Sequence, residues 1–109
     1  MTAEAVFDEL AEELEPSGAT PGKMFGARGI IFKKKAFVCL VQEHLAFKLG
    51  AGTDAHATAL ALPGAELWDP SGMGRPFKDW VAIPATDAES LTPLAEAALA
   101  YLQSTLPAT

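Results

Sequence analysis

Apolar and polar positions follow a helical period in three parts of the chain. In residues 3–14, apolar side chains recur every three or four positions, which predicts an amphipathic helix that ends at Pro16-Ser17-Gly18. An alanine-rich segment from Thr53 to Leu62 and a longer one that follows Thr92-Pro93 predict two further helices. Thr53 and Thr92 are suitable N-cap residues, and proline is favoured directly after such a cap.

Between and after the first two helices the period shortens to that of β-strands. We predict strands over 30–32, 36–41 and 45–49, joined by turns at 33–35 and 42–44, and two more over 65–68 and 76–83. The strand at 36–41 is apolar on both faces and is therefore expected to be central. Because Lys48 stands between Phe47 and Leu49 in an alternating strand, its side chain is expected on the face opposite theirs.

The order of these elements predicts the fold class. Helix, three strands, helix, two strands and helix indicate one α+β domain over residues 1–109, in two layers, with a five-stranded antiparallel sheet and helices on one face. The other face of the sheet would be relatively basic and partly apolar. We expect that face to contact a partner.

Composition limits the possible functions. The chain has 109 residues and a net charge of −6, and it lacks both an apolar run of about 20 residues and the basic start of a secretory signal. We therefore expect a cytoplasmic protein without membrane association. Cys39 is a single cysteine in an apolar strand and is expected to be buried and inert. His44 and His56 lack metal-ligand spacing, so neither a metal nor a cofactor is expected.

The charges are segregated along the chain. Six acids and no base lie in residues 1–15, whereas all eight basic residues lie between Lys23 and Lys78. The net negative charge disfavours nucleic acid as a partner, because phosphate neutralisation supplies most non-specific affinity. Lys23, Arg28 and Lys48 are candidates to converge on a small-anion site beside the glycines. The alternative is that Gly26 and Gly29 serve a turn or bulge and the basic side chains are solvated.

Two further features have alternative interpretations. The loop over 69–75, with Arg75 and the nearby Lys78, is either a backbone nest for phosphate or a plain hairpin connection. Trp68 and Trp80, in adjacent predicted strands, either pack together or leave one ring exposed as a binding anchor. Phe32, Phe47 and Trp80 are also weighed as a base-stacking surface. No set of base, nucleophile and oxyanion donor is evident, so an enzyme is not predicted.

Several short motifs resemble the N-terminal domain of the TfoX (Sxy) family over roughly residues 5–105. They are Gly22-Lys23-Met24-Phe25-Gly26, then Gly29-Ile30, then Lys48, and finally Trp80-Val81 ahead of Pro84. The resemblance implies a two-layer α+β fold related to the secretion-chaperone-like group, and a setting in bacterial regulation of competence. It implies no catalytic residues. Relatives of this type carry a helical C-terminal domain after this one, and we expect a stand-alone domain here.

The predicted function is that of a non-enzymatic interaction module, with a regulatory role in transcription or competence implied by the resemblance alone. It would bind a protein partner or a second copy of itself as a homodimer. The candidate binding residues are Lys23, Arg28, Lys48, Arg75, Lys78 and Trp80. A small-anion or nucleotide-binding domain and a direct DNA-binding regulator are the alternatives.

Overall fold

The structure is a computed structural model that describes residues 2–24, 27–69, 74, 77–85 and 88–105. The helices are α1 (Ala3–Leu14), α2 (Asp54–Leu60) and α3 (Ala88–Thr105), and a short 3-10 helix covers Glu15–Ser17. The strands are β1 (Thr20–Met24), β2 (Ala27–Phe32), β3 (Lys35–Val41), β4 (His44–Lys48), β5 (Glu66–Trp68) and β6 (Phe77–Pro84).

The described strands form one antiparallel sheet in the order β1-β2-β3-β4-β6-β5. This confirms the α+β class, the antiparallel sheet and the interior position of β3. The predicted number of strands was wrong, since the sheet has six rather than five. The missed strand, β1, contains Pro21 and Gly22, which are both poor strand formers. Proline is tolerated there because β1 lies at the edge of the sheet, where one side of the strand needs no ladder donor.

Helices α1 and α3 pack against each other and against β3 and β4, while α2 packs on β6 and α3. Their apolar faces meet alternate residues of the strands in the larger of two cores. Its largest fully buried side chains are Phe7, Phe37, Phe47, Leu10, Ile30, Leu45, Leu49 and Leu102. Strand β3 has a β-bulge opposite Ile30 and Ile31 of β2. Because the bulge interrupts the alternation of side chains, the neighbouring residues Phe37 and Val38 both belong to this core.

The helix over Ala3–Leu14 forms as its periodicity predicts. The Thr2 hydroxyl oxygen accepts a hydrogen bond from the Ala5 backbone N–H at 3.1 Å, which caps the first turn. Val6, Phe7, Leu10 and Leu14 are buried on one face. The chain leaves the following 3-10 helix at Gly18, whose backbone is left-handed.

The other two helices begin differently from each other. Thr53 caps α2 as predicted, since its hydroxyl accepts from the His56 backbone N–H at 3.1 Å. The third helix starts at Ala88, so the predicted cap at Thr92 was wrong and Pro93 lies within the helix. The Thr92 hydroxyl instead donates to the Glu13 carboxylate at 2.7 Å and joins α3 to α1. Leu91, in the turn before Pro93, is buried in the core. The stability gained from this burial offsets the cost of the backbone hydrogen bond that proline cannot donate.

The two predicted hairpin turns are present but shorter. Only Lys33 and Lys34 form the first turn, both with positive φ, so that Lys35 begins β3. The second turn is Gln42-Glu43, and His44 begins β4. Two-residue turns between antiparallel strands favour residues with a left-handed backbone, because that conformation matches the twist of the two strands.

Candidate interaction face of the sheet

One side of the sheet faces away from α1 and α3, and we call it the open face. Strand alternation places small and aromatic residues there, whereas Phe47, Val81 and Ile83 point into the helix-side core. The described residues of the open face include Ile31, Ala36, Cys39, Val41, Ala46, Lys48, Glu66, Trp68, Phe77, Trp80 and Ala82.

Trp68, Phe77 and Trp80 form an aromatic layer on the open face. The Trp68 and Trp80 ring centroids are 5.1 Å apart, and those of Trp68 and Phe77 are 5.8 Å apart, both in edge-to-face geometry. Each tryptophan is only 5% exposed and packs in a second core with Cys39, Ala46 and other small residues. The predicted tryptophan pair is confirmed, and the alternative of an exposed tryptophan anchor was wrong. Trp80 is therefore a structural residue of the face.

The base-stacking surface considered above does not form. Phe47 is fully buried, and it lies on the helix side of the sheet, whereas Trp80 lies on the open face. Phe32 packs against the helix-side core as well. The three rings therefore share no surface on which successive bases could stack.

The Cys39 thiol is enclosed beneath this layer. Its side chain is fully buried, and burial raises the pKa of the thiol from 9.0 to about 12. A thiol with a raised pKa carries little of the thiolate that a nucleophile needs. The predicted burial of Cys39 is confirmed, and its lack of reactivity stays a prediction.

This burial makes the stability of the domain sensitive to alkaline pH. The folded-state pKa lies above the unfolded value, so the contribution is fully present below pH 9 and is lost as pH rises towards 12. We expect the unfolding free energy of the wild type to fall by about 1 kcal/mol more than that of Cys39→Ala between about pH 8 and pH 10. Urea denaturation of both proteins under reducing conditions measures this difference. Parallel pH profiles for the two proteins would contradict it.

The predicted cluster of basic residues is divided between the two sides of the sheet. Lys23 and Arg28 are directly opposite each other on β1 and β2. The Arg28 guanidinium lies 4.8 Å from the ring centroid of Phe7 and 2.9 Å from the Asp8 carboxylate, so this pair is on the helix side. Lys48 is opposite Trp80 on the open face. The predicted convergence of Lys23, Arg28 and Lys48 was therefore wrong, although the predicted side for Lys48 is confirmed.

The remaining candidates have separate positions. Lys78 is exposed, and its carbonyl oxygen accepts a hydrogen bond from Nε2 of His56 at 2.8 Å. Arg75, like Phe25 and Gly26 of the family motif, lies outside the described residues. The phosphate nest considered around Arg75 thus lies largely outside them too, although the Gly74 N–H donates to the Asp69 carboxylate at 2.8 Å.

The two described glycines of the motif serve strand packing. Gly22 and Gly29 are direct partners in the β1–β2 ladder, and Met24 pairs with Ala27 at its end. A Cβ on Gly22 would lie 2.5 Å from Cδ1 of Ile31, and one on Gly29 would lie 3.0 Å from the Val38 carbonyl oxygen. Absence of a side chain at both positions lets neighbouring groups of the sheet approach closely.

A recess of about 380 Å³ opens at one end of the open face. The residues that line the recess include Val41, His44, Glu66, Trp68 and Ala82. Glu66 is exposed and lies opposite Ala82 of β6, which separates it from the Ala46–Lys48 segment of β4. Sequence reasoning missed Glu66, because its position beside the recess follows from the register of β5 on β6.

Metal ligands, membrane helices and known relatives give no further indication of function. Within the described ranges, no group of three or more His, Cys, Asp or Glu side chains is placed to hold a metal ion. None of the helices in that part of the chain combines the length and the apolar character needed to cross a membrane. Comparison with family models, curated proteins and solved structures finds no match. The geometry of the sheet is therefore the main indication of function.

Proposed function

We propose that this domain is a non-enzymatic interaction module that binds a protein partner through its open face. The observation that carries the proposal is a pair of unneutralised charges on that face. The side chains of Lys48 and Glu66 have no hydrogen-bond or ion-pair partner among the described residues, and strand β6, with the buried Trp80, lies between the strands that carry them. The resemblance to the TfoX N-terminal domain supports a cytoplasmic, regulatory setting, in transcription or competence.

Part of the open face still exposes apolar surface that a partner can cover. Phe77 of the aromatic layer is half-buried, as are Ile31 and Val41 on the same face, and all three still expose apolar surface. Covering such surface contributes about 25 cal/mol per Å² of apolar area removed from water. Charged groups at the border of an apolar centre contribute specificity and orientation more than affinity. Lys48 and Glu66 have that arrangement.

The positions of the basic residues favour a protein partner over an anion, a nucleotide or DNA. An anion site built from Lys23, Arg28 and Lys48 requires them on one surface, and they occupy two. Arg28 is also paired with Asp8 of α1, a helix that carries four further acidic residues. A phosphate backbone on that side would meet these carboxylates, which lowers its affinity.

The charge on Lys48 provides the test of this function. We expect Lys48→Glu to lose a protein that the wild-type domain retains from a nuclease-treated lysate of the organism that encodes it. Lys23→Glu makes the same charge change on the helix side and should retain that protein as the wild type does. Quantitative mass spectrometry of the three eluates measures the difference, and thermal denaturation establishes that all three domains are folded.

Two outcomes would contradict the proposed face. Equal retention by all three folded domains would show that Lys48 does not contact the partner. Loss with Lys23→Glu but not with Lys48→Glu would place the interface on the helix side instead.

A further inference from the structure

We propose that one end of the sheet binds an acidic segment of the protein partner. Five of the chain's eight basic residues lie at this end, which we call the lysine end: Lys33, Lys34, Lys35, Lys48 and Lys78. The inference rests on the proposed interaction function and names the chemistry of the partner. Because the chain as a whole has a net charge of −6, this local positive charge is complementary to a segment rich in carboxylates.

The directions of the strands bring these lysines together, although they are distant in the sequence. The first three occupy the turn between β2 and β3 and the first residue of β3, and Lys48 is the last residue of β4. Since β3 and β4 are antiparallel, these positions lie at the same end of the sheet. Lys78 is the second residue of β6, which is antiparallel to β4 and pairs Trp80 with Lys48. The strand spacing places the turn about 12 Å from β6, the length of about four extended residues.

The ammonium groups of the lysine end are available to a partner. All of these lysines are exposed except Lys48, which is half-buried. Within the described part of the chain, Arg28 pairs with Asp8 near the opposite end of β2, and none of the five lysines has a carboxylate within ion-pair distance. Nζ of Lys33 lies 5.7 Å from the ring centroid of Phe32, a contact that leaves its charge unneutralised. An acidic segment supplies the countercharges that this end lacks.

The turn of the lysine end is built from residues that its backbone does not favour. Lys33 and Lys34 have φ of +49° and +70°, the left-handed region in which asparagine and glycine are the favoured residues of a two-residue hairpin turn. Lysine at these positions costs stability relative to those residues, because its Cβ crowds the following carbonyl oxygen. Residues that break a local preference commonly lie at functional sites, which favours a role for these two charges.

The surroundings of the lysine end favour a short acidic segment over DNA or a membrane. The 3-10 helix that follows α1 ends close to it, since a Cβ on Gly18 would lie 3.4 Å from Cε2 of Phe32, the residue before the turn. The first residue of that 3-10 helix, Glu15, is exposed, so carboxylate charge borders the lysines on the helix side. A duplex or a lipid surface extends well beyond the lysine end and would bring its phosphates towards such carboxylates. A segment of about four to six acidic residues fits the lysine end alone.

NMR of the ¹⁵N-labelled domain with added hexaglutamate tests this site. We expect the largest amide shift changes at the lysine end, with a dissociation constant on the order of 1 mM at about 50 mM salt. The dissociation constant should rise at least about threefold at about 200 mM salt, because screening increases with ionic strength. A short DNA duplex at the same concentration of charged groups is the comparison and should bind less tightly.

The variant Lys33→Asn/Lys34→Gly separates the loss of charge from any loss of folding. It removes two charges and supplies the residues that the turn favours. The melting temperature should therefore rise by roughly 5 °C, while the dissociation constant for hexaglutamate rises at least about threefold. The matched control Lys23→Gln/Arg28→Gln removes two basic charges from the β1–β2 ladder away from the turn and should bind hexaglutamate as the wild type does.

Three outcomes would overturn the lysine end as the binding site. They are equal weakening by both double variants, shift changes centred elsewhere, and tighter binding of the duplex, which would make nucleic acid the partner. Lysate capture tests the proposed function separately. If Lys48→Glu loses the captured protein but the turn variant retains both that protein and hexaglutamate, the open face is the interface and the lysine end is not. If the turn variant loses both while Lys48→Glu retains the protein, the lysine end holds and the open face fails.

Discussion

Gly50→Ala should lower the free energy of unfolding by about 2–5 kcal/mol, because an added methyl group meets two obstacles. The backbone of Gly50 has φ +86°, a conformation that residues with a Cβ rarely adopt. That Cβ would also overlap Cε1 of Tyr101 in α3 and lie 2.7 Å from Cζ of the same ring. For a domain of this size the melting temperature should fall by about 10 °C or more.

The loop that contains Gly50 has little freedom to relax. The backbone N–H groups of Leu49 and Gly50 donate to the Asp79 carbonyl oxygen at 2.8 and 3.1 Å, and that of Ala51 donates to the Asp79 carboxylate at 2.8 Å. The Thr53 hydroxyl lies 2.8 Å from the Leu49 carbonyl oxygen and 2.9 Å from that of Gly50. A shift of Gly50 away from Tyr101 would strain or break several of these bonds, so the cost of the methyl group is not easily avoided.

Gly52→Ala provides a matched control two residues away. Gly52 also has positive φ, +89°, but a Cβ there meets no atom within 4 Å. We expect this variant to lose about 1–2 kcal/mol, the backbone cost alone. Urea denaturation of both variants, and of Gly50→Ala combined with Tyr101→Ala, separates the two effects. The Gly50 penalty should shrink to the Gly52 value when the ring is absent, and equal penalties in the presence of Tyr101 would contradict the steric explanation.

Much of the fold follows from local patterns in the sequence. The helix over Ala3–Leu14 and the cap at Thr53 depend on spacing and on one hydroxyl, both of which the sequence displays directly. The strand over Thr20–Met24 and the start of α3 at Ala88 were missed, because proline lowers the intrinsic preference for both elements. The strand forms because it lies at the edge of the sheet, and the helix starts early because Leu91 is buried in the core. Both causes depend on tertiary structure and cannot be read from the local sequence.

Strand alternation and hydrophobicity allowed only part of the candidate site to be predicted from the sequence. Alternation was sufficient to place Lys48 on the face opposite Phe47, and hydrophobicity was sufficient to bury Cys39. Whether Lys48 meets Arg28 depends on the registers of several strands and on which side α1 packs. The contact between Arg28 and the ring of α1 could not be read from spacing, since it joins separate elements of the chain. Glu66 lacked any signal because its role depends on the pairing of β5 with β6.

Trp80→Ala should lower the free energy of unfolding by about 3–5 kcal/mol, although Trp80 lies on the side of the sheet away from α1 and α3. The tryptophan is only 5% exposed and contacts Trp68 in a core that also holds Cys39 and Ala46. Those small neighbours have no atoms with which to fill the space of an indole. A loss of this size is a large part of the roughly 5–15 kcal/mol that stabilises a typical domain.

Chemical denaturation followed by circular dichroism measures this loss, and two variants give it a scale. Trp80→Phe keeps an aromatic ring beside Trp68 and should cost much less than Trp80→Ala. Val41→Ala removes a half-buried side chain from the same face and should cost only about 1 kcal/mol, because less apolar area is lost. If Trp80→Ala costs no more than Val41→Ala, the aromatic layer contributes little stability, and the tryptophans would instead be retained for the surface they shape. The expected order, with alanine at position 80 far the most destabilising, means that the sheet is stabilised by packing on both of its sides.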